Sequence, residues 1–226
     1  MSPIHRPAGI FLLFSAFVLL LVASVSTPFF QPVDIVHTTQ SINTNSERGT
    51  EEVRYGIWGA CRTATGSSTI TVCQHLGHGY STTNNPLLAF FDLNSEDTKF
   101  TGVNSSWTKG LPVHVVAAII VFISFVCSFL TKPLITILVA GIGAVVTLIA
   151  IAIDIAFNIL TRHAVDEITN SASTSFGPGF WLTLVAFVIT IGGSVLLFLH
   201  RREDDAWDSE AFSLDFIKKP LSRFKN

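Results

Sequence analysis

The sequence predicts a membrane protein that is mainly α-helical, with four transmembrane helices bundled beneath a small extracellular β-sheet clamped by a disulfide. Three observations predict it. Four apolar runs, residues 9–26, 113–131, 134–160 and 179–199, divide the chain. Each has 18 or more residues, enough to cross about 30 Å of hydrocarbon at ~1.5 Å per residue. Only Asp154 is charged within any of them, and they are apolar all round, where a soluble helix would show a polar face. The long polar segment between the first two runs carries Cys61 and Cys73 on either side of a turn signal. Finally, basic residues collect at the chain ends and in the shortest connection.

Bulk composition agrees. The chain has 226 residues, 49% hydrophobic and 13% charged, with net charge −2 and a positive mean hydropathy. That charge argues neither for nor against nucleic-acid binding; the partner that four spans imply is the lipid bilayer, not nucleic acid. The remaining loop leaves no room for a separate catalytic domain. Gly-rich phosphate loops, Gly-x-Ser-x-Gly elbows and His-Glu-x-x-His motifs do not occur. The expectation is a non-enzymatic protein with no cofactor, metal or catalytic residue.

Short loops rich in Lys and Arg stay in the cytoplasm. Arg6 precedes the first span, Lys132 lies between spans two and three, and the tail carries Arg201, Arg202, Lys218, Lys219, Arg223 and Lys225. The expected order is a cytoplasmic N-terminus (1–8), span one (9–27), a large extracellular loop (28–112) and span two (113–131). A cytoplasmic turn (132–133), span three (134–160), a short extracellular loop (161–178), span four (179–200) and a cytoplasmic tail (201–226) follow. Residues 9–26 also admit a cleaved signal peptide, because Ala23, Ser24 and Ser26 offer small residues for cleavage; that would leave three spans. In the tail, Phe212, Leu214, Phe216 and Ile217 beside Lys218 and Lys219 suit either a segment lying on an anionic leaflet or a disordered end. Pro220 is expected to interrupt a helix there.

The large loop reads as strands. Residues 33–39 and 53–62 are strand candidates, with a mobile polar stretch at 41–50 between them. Thr65-Gly66-Ser67-Ser68 is a turn, and 69–74 alternates Ile70 and Val72 against Thr69 and Thr71 as a partner strand. A Cys61–Cys73 disulfide would clamp this hairpin, worth roughly 3 kcal/mol for so short a loop, in an oxidising compartment. Residues 87–93 are expected to pack on the sheet or the membrane surface. Cys127, inside span two, reads as inert packing. Asn104-Ser105-Ser106 is a glycosylation sequon.

Four spans, a large first outer loop with a small sheet, and Gly56-Ile57-Trp58-Gly59-Ala60-Cys61 followed by Cys73 together resemble the claudin-like superfamily. With Gly79-Tyr80 and the span-three ending at residues 151–157, the chain resembles most its fungal branch, the PalI/SUR-type membrane proteins, over about residues 5 to 202. Animal claudins carry a further upstream Trp in this loop, and none precedes Trp58 here; a paracellular junction role does not carry over. The resemblance implies assembly rather than catalysis. It points to a plasma-membrane component auxiliary to an ambient alkaline-pH sensor or, alternatively, to an organiser of cortical membrane domains (eisosome-type) that supports cell-wall integrity. The expected partners are membrane proteins of either assembly, with a homo-oligomer as a further option. Some relatives carry long cytoplasmic tails; the short tail here weakens a tail-based role.

The residues that could act are few. His37, His75, His78, His114 and His163 fall on the outer side in this topology, and histidine as a residue type ordinarily titrates in the range a pH-responsive surface would need; the plain alternative is ordinary exposed side chains. His75 and His78, without a further ligand, make a weak metal site. Asp154 is an intramembrane acid, a functional hypothesis by default. It lies 20 residues from Leu134, about 30 Å along the helix, so it is expected at the outer boundary within reach of water. Asn158, four residues on, shares its face. Small-residue clusters at Gly141, Gly143, Ala144 and at Gly192, Gly193, Ser194 are expected at helix crossings within the chain, with an oligomer interface as the alternative.

Overall fold

In this computed structural model the described residues are 5–43, 48–65, 69–81, 90–91, 100–101, 103–129, 133–166 and 172–222. Helix α1 spans His5–Ser24, the short α2 Ser105–Thr108, α3 Val113–Cys127, α4 Pro133–Asp166 and α5 Pro178–Ser222. Four helical stretches are long and apolar enough to cross a membrane: Arg6–Ser24, Ser105–Cys127, Leu134–Asp166 and Pro178–Arg202. Proline opens both α4 and α5, where its missing N–H has no helical partner to lose. The backbone of α5 stays helical past Pro220 to Ser222, so that proline does not end it as expected.

The four long helices form a ring in which α1 touches α3 and α5, and α4 touches α3 and α5. Their large side chains, including Phe11, Phe122, Leu138, Val145 and Val188, point outward. Their interior is small: Ala16, Ala117, Ala140 and Ala186 are fully buried. In lipid the outward apolar face costs nothing, and close backbone approach supplies the packing. A Cβ on Gly9 would lie 3.2 Å from the Gly193 carbonyl, and one on Gly143 would lie 3.1 Å from Val121. Gly141 faces open space, so only part of the small-residue pattern marks internal crossings.

At one end of the ring sits a five-stranded antiparallel sheet of order β4-β3-β2-β1-β7. Its strands are β1 Val36–Asn43, β2 Arg48–Tyr55, β3 Gly59–Thr65, β4 Thr69–His75 and β7 Ala172–Phe176; the two-residue strands β5 Phe90–Phe91 and β6 Phe100–Thr101 pair separately. Three expectations change. The stretch 41–50 belongs largely to a hairpin, since β1 and β2 run to Asn43 and from Arg48; residues 44–47 lie outside the described residues. The strand expected at 53–62 is two strands, because the chain reverses at Gly56-Ile57-Trp58. The connection between α4 and α5, in which no strand was expected, adds β7 to the sheet edge beside β1. The turn at 66–68 and most of 87–93 lie outside the described residues.

Helix α4 explains how the sheet stands on the bundle. Its 34 residues span about 51 Å, more than the hydrocarbon needs. The surplus carries Phe157 and Val165 into a core shared with Ile35, Val36, Val53, Tyr55 and Ile57. Tyr55 meets Phe157 edge to face, with ring centroids 6.1 Å apart. On this inner face the cross-strand pairs run from apolar to polar, from Val36–Tyr55 through Thr38–Val53 to Gln40–Glu51. Glu51 is buried and forms an ion pair with Arg62. Burial pushes its carboxyl above the usual range, and Arg62 opposes the shift.

Candidate functional site

The Gly-Ile-Trp-Gly segment welds the sheet to the end of α1. Gly56 N–H donates to the Gly59 carbonyl at 2.9 Å, closing the turn between β2 and β3. Ile57 N–H donates to Ser26 Oγ at 2.9 Å and the Trp58 indole N–H to the Ser24 carbonyl at 2.7 Å. The Trp58 carbonyl accepts from the amides of Leu76 and Gly77. The Tyr80 hydroxyl donates to the Gly56 carbonyl at 2.8 Å, and Thr108 Oγ1 donates to the Tyr80 carbonyl. Both glycines of the turn are sterically required: a Cβ would fall 2.3 Å from the Thr27 carbonyl oxygen at Gly56 and 2.1 Å from that of Gln74 at Gly59. Gly79 has φ +63°, the left-handed region that favours glycine. The motif residues thus act as one joint.

Cys61 and Cys73 face each other across β3 and β4 and are disulfide-bonded. The pair lies on the face of the sheet turned away from α4. Gln31 reaches it, donating from Nε2 to Cys73 Sγ at 3.5 Å.

The same face holds a second cluster, which joins the two loops. His37, on β1, stands opposite Ser175 on β7. Its Nδ1 lies 3.1 Å from Asp34 Oδ2 and its Nε2 2.9 Å from Ser175 Oγ. Asp34 is only 2% exposed. It sits at the root of α5, where the amides of Gly177 and Gly179 donate to the carbonyls of Ile35 and Asp34. A helix start favours a carboxylate there. The hydrogen bond to Asp34 holds the His37 ring above the ordinary histidine range; burial works against it, the charges of Asp34 and Glu52 add to it, and Arg54 subtracts. Arg54 is itself paired to Glu52 at 2.9 Å. An Asp–His–Ser chain serves acyl transfer when backbone donors converge on the reacting oxygen in a cleft; here the serine lies exposed on the flat edge strand. What the chain does in this setting is bind one loop to the other through a titratable ring.

His114 is not among the outer, exposed histidines. It is fully buried at the start of α3, and its Nε2 lies 3.1 Å from Asp154 Oδ2 on α4. Its Nδ1 lies 2.8 Å from the Leu111 carbonyl. A carbonyl only accepts, so Nδ1 carries a hydrogen, and one further hydrogen lies between Nε2 and the carboxyl. With either placement of that hydrogen the pair as a whole is neutral, which lets an acid reside among apolar helices. Asp154 is 0% exposed, so it has no direct contact with bulk solvent: α4 continues past it under the sheet. Its partner is His114 rather than Asn158, and Asn158 Nδ2 has no hydrogen-bond partner.

The other expected residues do not gather. His75 is exposed, with the Phe29 ring tilted beside it at 4.9 Å between ring centroids. His78 and His163 are exposed in separate places. Asn104 is exposed and caps α2, its Oδ1 accepting from the Ser106 amide at 3.2 Å. Among the described residues no three His, Cys, Asp or Glu side chains are placed to hold a metal ion. Asp34 and Ser175 were not anticipated. In a regular strand Asp34 and His37 would face opposite ways, but β1 begins only at Val36, so Asp34 precedes the pleat. Nothing in Ser173-Thr174-Ser175 announces a strand.

The model of the SUR7/PalI family matches residues 5–193. That range takes in all four apolar runs but the end of the last, and the whole sheet. No curated protein matches the chain.

Proposed function

The chain belongs to the SUR7/PalI family, and on that premise we propose that it is a non-enzymatic auxiliary component of ambient alkaline-pH sensing in a fungal plasma membrane. In this reading both termini are cytoplasmic and the sheet faces outside, as the basic residues direct. The observation that carries the reading is His37. It ties the two outer loops together, its ring titrates above the ordinary histidine value of about 6.5, and its partner Asp34 is buried. Loss of the ring's charge in alkaline surroundings leaves that acid without its neighbour's countercharge and weakens the seam between β1 and β7. A membrane partner that contacts the sheet would register the change.

The test is deletion of the gene in its host. Alkaline-dependent proteolytic processing of the pH-response transcription factor is then followed, with growth at alkaline pH. Processing should be lost and should return with the intact protein; normal processing in the deletion strain would remove the signalling role.

The second reading is an organiser of cortical membrane domains. Gly141 favours it, because its side of α4 faces open space and offers a partner helix, or a second copy, close backbone approach. A punctate, immobile distribution and a weakened cell wall in the deletion strain would support this role.

A further inference from the structure

Three atoms on one face of α4 stand out: Asp154 Oδ1, Asn158 Nδ2 and Thr161 Oγ1 are all buried without a hydrogen-bond partner. The parent residues are 0%, 7% and 2% exposed. Spacings of four and seven residues place them on a single stripe of the helix, within about 60° of each other. Leaving each such group unsatisfied costs roughly 1–3 kcal/mol, so three together on one stripe call for a common partner.

Thr161 stands apart from most of the other buried hydroxyls of the spans. Elsewhere in the spans, buried hydroxyls satisfy themselves locally: Thr147, Thr183 and Thr190 each bond the carbonyl four residues back, to Gly143, Gly179 and Ala186. That solution was open to Thr161 with Phe157, and it is not taken. Thr136 also lacks a partner, but it lies 18 residues below Asp154, about 27 Å along the helix.

We infer that the sheet end of the bundle encloses a short chain of internal water molecules running along α4 from Thr161 to Asp154. The chemistry of the stripe fits water better than an ion. Asp154 Oδ1 accepts, Asn158 Nδ2 donates, and Thr161 Oγ1 does either, so water can alternate between them. A cation would want oxygens only, and the negative charge it needs is already balanced by His114 on the other carboxyl oxygen. Buried water of this kind makes about three hydrogen bonds to groups otherwise unpaired. The chain of water brings exchangeable hydrogen to the carboxyl that shares a hydrogen with His114. It goes beyond the signalling reading and does not depend on it.

The experiment is water-edited solid-state NMR on the full chain in lipid nanodiscs, with water itself as the probe. Magnetisation should pass from water to the Asp154 carboxyl and the His114 ring nitrogens as fast as to exposed sheet residues, and several-fold faster than to Ala117 or Ala140. Asn158→Leu with Thr161→Val should slow that transfer several-fold while the Cys61–Cys73 disulfide still forms. Should the double variant fail to fold, Thr161→Ser must keep the fast transfer and Thr161→Val alone must reduce it. Transfer to Asp154 no faster than to Ala140 in the wild type would overturn the inference. So would a saturable shift of the Asp154 carboxyl signal on adding sodium in place of choline, which would put a cation there instead.

Discussion

Two histidine–aspartate pairs of the same length, 3.1 Å, sit in different parts of the molecule. Asp34–His37 lies at the seam of the sheet, with the acid buried and the ring 28% exposed. His114–Asp154 lies between two helices with both side chains at 1% exposure or less. What differs is access to solvent and the second nitrogen's partner. His37 spends it on a serine hydroxyl, which can turn to give or to take, so the bridge survives a change of charge. His114 spends it on a carbonyl, which can only accept. The first pair lies where its ring meets water, and the second forms a polar crossing sealed inside the bundle.

Breaking the second pair should have the largest effect. Asp154→Ala leaves a buried ring facing nothing and should cost about 3–5 kcal/mol. Replacing both partners by apolar residues of similar volume, His114→Phe with Asp154→Leu, should recover most of that loss. Unfolding in detergent micelles, run as a double-mutant cycle, reads both. Cys61→Ser should cost roughly 3 kcal/mol and separate the two regions. Limited proteolysis should then cut within the sheet segments first, while the helices stay protected.

The seam responds more gently. Asp34→Asn keeps a hydrogen-bond acceptor but removes the charge at the root of α5, for a loss of about 1–2 kcal/mol. The smallest effect is in pH. Because the folded state raises the His37 value, that pair contributes fully below the unfolded value of about 6.5. Its contribution fades as pH rises through the higher folded value. His37→Gln should flatten the stability profile across that window, and should change total stability at pH 8 by less than about 1 kcal/mol. A wild-type profile that stays level between pH 6 and pH 8.5 would count against the seam as a pH-dependent element.

These two pairs also show what the chain discloses on its own. Run length alone located the four helices, because hydrocarbon thickness sets it, and Cys61–Cys73 followed from a hairpin register that any alternating pair of strands would share. Asp154 was visible as an unusual intramembrane acid, but His114 stood only among five histidines expected outside, and their pairing was not legible. They are 40 residues apart, and helical period gives a face without saying which helix it meets. Strand β7 stayed hidden because an edge strand of Ala, Ser, Thr and Phe has no strong alternation and is defined by its neighbour β1. The break at Gly56-Ile57-Trp58 was hidden for a related reason. Its glycines are demanded by Thr27 and Gln74, contacts that come from other segments.

Helix α5 is rooted beside Asp34 and runs without interruption for 45 residues, about 67 Å. Taken as a rigid arm, it would have its root at the seam of the sheet and its far end beyond the spanning stretch Pro178–Arg202. For a rigid arm of that length, tilting the root by roughly 5° carries the tip about 6 Å. Length alone would thus turn a small tilt at the root into a displacement of several ångströms at the far end.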